Sequence, residues 1–198
     1  GNISSQYLTA LLIAGPLCNQ NIKIQIIGTL ISKPYINITL KLLNQFGIKY
    51  KNNDWKNFTL NTPSRFTSPK KIQVEGDASS ASYFFAAGAI AGSVEVFNIN
   101  KLSIQGDLEF LKIIKKMGAN VEYLSNSIKV SKKQSLVATT IDCKNIPDAA
   151  MTLAILALFA KGTTTLKSIA SWRVKETDRI LAMKTELKKL GAHVLTTK

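Results

Sequence analysis

Three stretches of this chain share one form: an amphipathic helix, a glycine, then a short strand. The helices are read at residues 36–46, 108–117 and 180–190, followed by Gly47-Ile48-Lys49-Tyr50, Gly118-Ala119-Asn120-Val121 and Gly191-Ala192-His193-Val194. The three glycines stand roughly seventy residues apart, the mark of an internal repeat. Ile36, Leu40 and Leu43 recur at helical spacing in the first helix. In the third, Ile180, Met183, Leu187 and Leu190 do the same, with Lys184, Lys188 and Lys189 turned outward. A glycine directly after each helix predicts a left-handed C-terminal cap.

A second helix recurs in the same phase, after Ser4-Ser5-Gln6, after Ala78-Ser79-Ser80 and after Pro147-Asp148. Each is apolar and rich in small residues, and is expected to end near Gly15-Pro16, Gly92 or Gly162. Runs with β-branched residues at 22–27, 93–98 and 163–169 predict a strand behind each. Hairpins are predicted around Asn53-Asp54 and Ser125-Asn126. Each unit reads helix, strand, loop, helix, hairpin, strand, which predicts an α/β fold with helices packed on sheets. Residues 61–69, with Pro63, Ser64, Ser68 and Pro69, form the linker candidate, and a domain boundary is expected near Glu75.

A hydrophobic content of 45% against 19% charged residues argues for a folded chain rather than a disordered one. The apolar runs at 7–17 and 151–160 are too short to span a bilayer, so no membrane partner is expected. Cys18 and Cys143 are well separated and offer neither a disulfide framework nor metal-ligand spacing. That predicts a reducing, cytoplasmic setting and no metal. The first residue is Gly1, with no initiator methionine and no charged-then-apolar leader; a fragment or processed chain without a signal peptide is expected. The net charge of +14 suits nucleic acid, an anionic surface or anionic small substrates. Yet Lys70-Lys71 and Lys132-Lys133 are scattered pairs without interleaved aromatics, in a composition rich in lysine, asparagine and isoleucine. No nucleic-acid partner is expected.

Polar residues gather where helices open, and helix N-termini with their free N–H groups suit phosphates and carboxylates. These loops hold Ser4-Ser5-Gln6, Ser32-Lys33-Pro34-Tyr35, Pro147-Asp148-Ala149-Ala150 and residues 171–179. The last is the most unusual stretch, Ser171-Trp172-Arg173-Val174-Lys175-Glu176-Thr177-Asp178-Arg179. On a helix Lys175 and Arg179 would share one face as a site for a multiply charged anion. Glu176 would lie about a quarter turn or slightly more away, where it could handle a proton. Plainer readings stand beside these. Ser4, Ser5, Ser32 and Asp148 are all suited to capping a helix, and capping suffices for Asp77 and Asp107. Lys175 and Arg179 could equally pair with Asp178 and Glu176 on a solvated surface. Trp172 reads as a packing anchor, and His193 as a structural residue in an edge strand. The chain has no P-loop, nucleophile elbow or zinc-binding helix motif.

These same residues resemble the 5-enolpyruvylshikimate-3-phosphate synthase family. The resemblance is carried by residues 1–6, Ser32-Lys33-Pro34-Tyr35-Ile36, Glu75-Gly76-Asp77-Ala78-Ser79-Ser80-Ala81-Ser82-Tyr83-Phe84, Ile146-Pro147-Asp148-Ala149-Ala150-Met151-Thr152 and Trp172-Arg173-Val174-Lys175-Glu176-Thr177-Asp178-Arg179. They run from end to end of the chain in the family's order and spacing. The resemblance implies two similar domains of repeated βαβαββ-type units, with the active site in the cleft between them. Residues 1–75 would be the last part of the first domain and residues 76–198 the first part of the second. It implies transfer of the enolpyruvyl group of phosphoenolpyruvate to shikimate 3-phosphate by addition and elimination, with no cofactor and a monomeric protein.

By position, Ser4, Ser5, Gln6, Ser32, Asp148 and Lys175 match shikimate 3-phosphate contacts, with Tyr35 a neighbour of the same site. Gln6 and Arg179 match phosphoenolpyruvate contacts. Asp148 matches the residue assigned to take the 5-hydroxyl proton, and Glu176 a second acid/base residue. Ser171 stands where many members have asparagine; its shorter hydroxyl keeps a hydrogen-bonding group there without the amide. A sister transferase acting on a UDP-sugar shares the fold, but Ser4-Ser5-Gln6 and Ser32-Lys33-Pro34-Tyr35 favour the shikimate substrate.

Overall fold

The repeat read from the sequence returns as a three-stranded sheet of one topology, built twice. The computed structural model of the chain describes residue 1 and residues 3–197; Asn2, in the first of the matching runs, lies outside them. The chain divides into two units, Gly1–Val74 and Glu75–Lys198.

In the first unit the order is α1 (Gln6–Ala14), β1 (Ile22–Gln25), α2 (Lys33–Gln45), β2 (Tyr50–Asn53) and β3 (Asn57–Leu60). The hairpin strand β3 lies between β1 and β2 and is antiparallel to both. The helical stripe Ile36, Leu40 and Leu43 is buried as its spacing requires, against Phe58 and Leu60 from the sheet and Leu8 and Leu12 from α1. Gly47 ends this helix region at φ +78, the left-handed conformation that the cap demands.

The second unit opens with α3 (Ala78–Ala91), β4 (Ser93–Phe97), α4 (Glu109–Met117), β5 (Asn120–Tyr123) and β6 (Ser127–Ser131). Here too the last strand is central, in the order β4-β6-β5. Phe110, Leu111, Ile114 and Met117 bury one face of α4, and Gly118 follows at φ +119. Asp77 caps α3 through the backbone N–H groups of Ser79 and Ser80. Burial tends to raise the Asp77 carboxyl, but those hydrogen bonds outweigh it and hold the group below its ordinary value.

Small residues let α3 lie close on its sheet. A methyl group at Gly88 would stand 2.6 Å from the Val130 carbonyl oxygen and 3.1 Å from the Val94 nitrogen. Backbone on that side cannot swing away as a side chain can. Gly88→Ala is therefore expected to destabilise this unit by about 1–3 kcal/mol, although alanine favours a helix by about 1 kcal/mol over glycine. Urea unfolding followed by circular dichroism checks this; unchanged stability would contradict the close contact.

The rest of the unit comprises β7 (Leu136–Val137), β8 (Thr140–Asp142), α5 (Ala149–Leu156), β9 (Ala160–Lys161), β10 (Thr165–Lys167) and α6 (Arg179–Lys189). β7 pairs with β9 and β8 with β10, both in parallel. Two expectations fail here. The helix after Asp148 stops at Leu156 rather than near Gly162, because the chain tightens into a 3-10 turn over Ala157–Phe159 and then pairs with β7. Residues 192–194 form no strand, although Gly191 takes the expected left-handed conformation at φ +83. The equivalent strands β2 and β5 are each held by the strand that follows them, and no strand follows α6 among the described residues. His193 is consequently exposed in irregular chain, not in an edge strand. No helix among the described residues is long and apolar enough to cross a membrane.

Candidate functional site

In the first unit the candidate residues sit where α1 and α2 begin. Thr9 and Thr39 hydroxyls meet at 3.2 Å. One turn further on, Ile13 lines the same recess as Leu42, Leu43 and Phe46. The two helices thus run the same way, and Ser4, Ser5 and Gln6 share an end of the pair with Ser32 and Tyr35. Ser5 and Ser32 occupy the residue before each helix, yet neither hydroxyl caps it, contrary to the capping reading. Ser4 Oγ instead accepts from the Gln6 backbone N–H at 3.2 Å. Ser32 is held in the left-handed region at φ 54, ψ 40, a conformation that costs a non-glycine residue roughly 1–2 kcal/mol.

The second unit brings four helix-opening segments into contact. Buried hydroxyls of Ser82 and Thr152 meet at 2.8 Å, about one turn into α3 and α5, so these helices also begin at one end. Arg179, first residue of α6, is the centre of the cluster. Its Nε and Nη2 donate side by side to the two carboxylate oxygens of Glu176, each at 2.8 Å. Its Nη1 donates to Asp148 Oδ1 at 2.6 Å. The guanidinium side chain is 14% exposed, against 65% for Glu176. Hydrogen bonding to Arg179 holds the Glu176 carboxyl below the ordinary glutamate range. The pairing with Glu176, reinforced by Asp148 and opposed by burial, raises Arg179 further above its already high value.

This geometry corrects the helical-face reading of residues 175–179. Residues 170–174 form a 3-10 turn, Lys175 leaves it in an extended conformation, and α6 starts only at Arg179. Asp178 caps α6 through the Leu181 N–H, which fixes where that helix begins. Lys175 and Arg179 therefore do not share a helix face, and Glu176 grips Arg179 rather than pointing away from it. Lys175, half-buried, makes no side-chain hydrogen bond or ion pair among the described residues. Arg173 pairs with Asp178 at 3.3 Å and donates to the Thr197 carbonyl at 2.9 Å. Ser171 is half-buried in the 3-10 turn.

Trp172 is the packing anchor its size suggested, 2% exposed, and its indole N–H donates to the Pro147 carbonyl at 2.8 Å. The capping reading of Asp107 fails, and its actual role was not read from the sequence. Asp107 does not cap the helix it precedes; it is buried, accepts from Ser79 Oγ at 3.0 Å and accepts from the Ala149 backbone N–H at 3.2 Å. A repeated Gly-Asp pair, Gly76-Asp77 and Gly106-Asp107, was the only signal available for it. Among the described residues no group of histidine, cysteine and carboxylate side chains is arranged to hold a metal. Cys143 is buried, and that burial pushes its thiol up to about 12, which makes it inert packing rather than a nucleophile.

Comparison with known proteins gives this geometry its context. The family model for EPSP synthase (3-phosphoshikimate 1-carboxyvinyltransferase) matches residues 1–198. The 3-phosphoshikimate 1-carboxyvinyltransferase of Shewanella pealeana is 54% identical over 195 residues, 98% of this chain and 46% of that protein. The protein of the same name from Ralstonia pickettii is 55% identical over 201 residues, at shares of 98% and 46%. The chain thus spans about half the length of the curated relatives it matches. A solved EPSP synthase from Acinetobacter baumannii aligns with a TM-score of 0.72 at 26% identity, over 93% of this chain and 43% of that one. The enolpyruvyl transferase NikO from Streptomyces tendae shares the fold, with a TM-score of 0.63 at 15% identity over 84% of this chain and 40% of its own.

Proposed function

The chain belongs to the EPSP synthase family, and on that premise we propose that it is the central portion of an enzyme that moves the enolpyruvyl group of phosphoenolpyruvate to the 5-hydroxyl of shikimate 3-phosphate. Residues 1–75 close the first domain of that enzyme and residues 76–198 open the second. It works as a monomer on these two anionic substrates in the cytoplasm, without a membrane or nucleic-acid partner.

The observation that carries this reading is the Arg179 cluster: one guanidinium gripped by the two carboxylates of Asp148 and Glu176. Guanidinium has five N–H donors, three of which are used within the cluster, so one remains on each Nη nitrogen for an incoming carboxylate or phosphate. Arg179 and Gln6 bind phosphoenolpyruvate. Ser4, Ser5, Ser32, Tyr35, Ser171 and Lys175 hold shikimate 3-phosphate, and the left-handed backbone at Ser32 fits a residue held for binding rather than for local stability.

The chemistry follows from two carboxylates beside a cation. The 5-hydroxyl oxygen bonds to C2 of phosphoenolpyruvate while its proton passes to the Asp148 carboxylate. C3 takes up a proton, giving a tetrahedral ketal phosphate. Phosphate then leaves from C2 and a proton from C3, forming the enol ether. In the ligand-free arrangement Glu176 is an acceptor rather than a donor, because Arg179 holds it ionised. Delivery of a proton by Glu176 therefore follows loosening of that pair by the bound anion.

Phosphate release from phosphoenolpyruvate by the full-length protein is expected to require shikimate 3-phosphate. The 198-residue chain alone is expected to release none. A folded full-length protein without release would leave an anion-binding remnant of this family as the better reading.

A further inference from the structure

Asp148 stands at the residue before α5, where an aspartate ordinarily caps the helix with its own side chain. Here it does not, and the first N–H groups of α5 have other partners. Ala149 N–H is taken by Asp107 Oδ1, Ala150 N–H by the Ile146 carbonyl and Met151 N–H by the Asp148 carbonyl. The carboxylate of Asp148 is turned to Arg179 instead. Asp107 is 3% exposed and reaches across 42 residues of sequence to do this, with its second oxygen fixed by Ser79 Oγ. On the other side of Asp148, the Pro147 carbonyl is pinned by the Trp172 indole. Both peptide groups flanking Asp148 are thereby tied to buried side chains.

We propose that Asp107 is a positioning residue for Asp148: by holding the first N–H of α5 it fixes the peptide group that follows Asp148, so that the carboxylate stays aimed at Arg179 and the substrate hydroxyl. A carboxylate suits this post, since one oxygen can face the helix N-terminus while the other accepts from Ser79. Burying its charge is offset by those two hydrogen bonds and by the positive end of α5. Without Asp107 the Ala149 N–H is left buried and unpaired, and the peptide group that follows Asp148 is no longer tied to a buried side chain. The Asp148 carboxylate then loses its fixed aim at the reacting hydroxyl.

The inference rests on the reading of Asp148 as the proton acceptor, and the test separates the two. In the full-length protein, Asp148→Asn is measured first; undiminished turnover there would remove the role of Asp148 itself. Asp107→Ala is expected to lower kcat by roughly 10- to 100-fold, as a misplacement near 1 Å does, with KM for both substrates within about threefold. Asp107→Asn keeps an acceptor for Ala149 and is expected to restore kcat to within about fivefold. In the Asp148→Asn background, Asp107→Ala is expected to cost less than about threefold, because residues that act as a unit are not additive. A loss by the same factor in both backgrounds, or an unchanged kcat in Asp107→Ala, would overturn the proposal. Should Asp107→Ala fail to fold, Ser79→Ala loosens the same carboxylate from its other side and is read by the same comparison.

Discussion

Asp148→Ala in the full-length protein is expected to lower kcat by roughly two to four orders of magnitude, with affinity for either substrate changed by less than about tenfold. The carboxylate is the proton acceptor for the attacking hydroxyl, so its removal acts on the chemical step. The structure makes this substitution a clean probe. α5 does not depend on the Asp148 side chain for its cap, since Asp107 and two backbone carbonyls hold its first N–H groups. Arg179 keeps its paired grip on Glu176, so the anion-binding cation stays in place. Steady-state kinetics beside a thermal unfolding curve checks the claim. An unchanged curve with undiminished turnover would contradict the role; an unchanged curve with lost turnover is the expected result.

What could be read from the sequence is what local physics decides. Gly47, Gly118 and Gly191 all take positive φ as predicted, because a helix cap is settled by the few residues around it. Asp77 was legible for the same reason, since its partners are two and three residues away. The buried stripe of Ile36, Leu40 and Leu43 follows from periodicity alone. Asp107 was not legible, although it precedes a helix just as Asp77 does. Its partners lie 28 and 42 residues away, and only the packing of α3 beside α5 brings them within reach. The strand expected at residues 192–194 failed because strands, unlike helices, need a neighbour to bond with.

The candidate site divides along the same line. That Arg179 pairs with Glu176 was among the readings open from charge spacing, since the two stand three residues apart. That Asp148 joins them was not, because 31 residues separate it from Arg179. The face-sharing of Lys175 with Arg179 assumed one continuous helix through residues 175–179. The Asp178 cap forbids that by starting α6 one residue later, and it leaves Lys175 on extended chain.

Arg179→Ala is expected to raise KM for phosphoenolpyruvate by about a hundredfold or more, the cost of truncating one member of a desolvated, hydrogen-bonded charge set. Arg179→Lys is expected to recover little of this. An ammonium is a point charge on a flexible stem and cannot hold Glu176 through two parallel bonds, Asp148 through a third and a ligand besides. The same substitution has a second reading in pH. Glu176 lies below its ordinary value of 4.5 in the folded protein, chiefly through its hydrogen bonds to Arg179. A depressed carboxyl contributes stability that is present above its unfolded value and is lost as pH falls through the folded one. Removing Arg179 should therefore return Glu176 upward toward 4.5 and abolish that acid-side loss. Carbon-13 NMR titration of the Glu176 carboxyl reads the shift directly, independently of turnover. A KM left unchanged would mean that phosphoenolpyruvate does not use this cation. An unmoved Glu176 titration would mean that the pair is absent in solution.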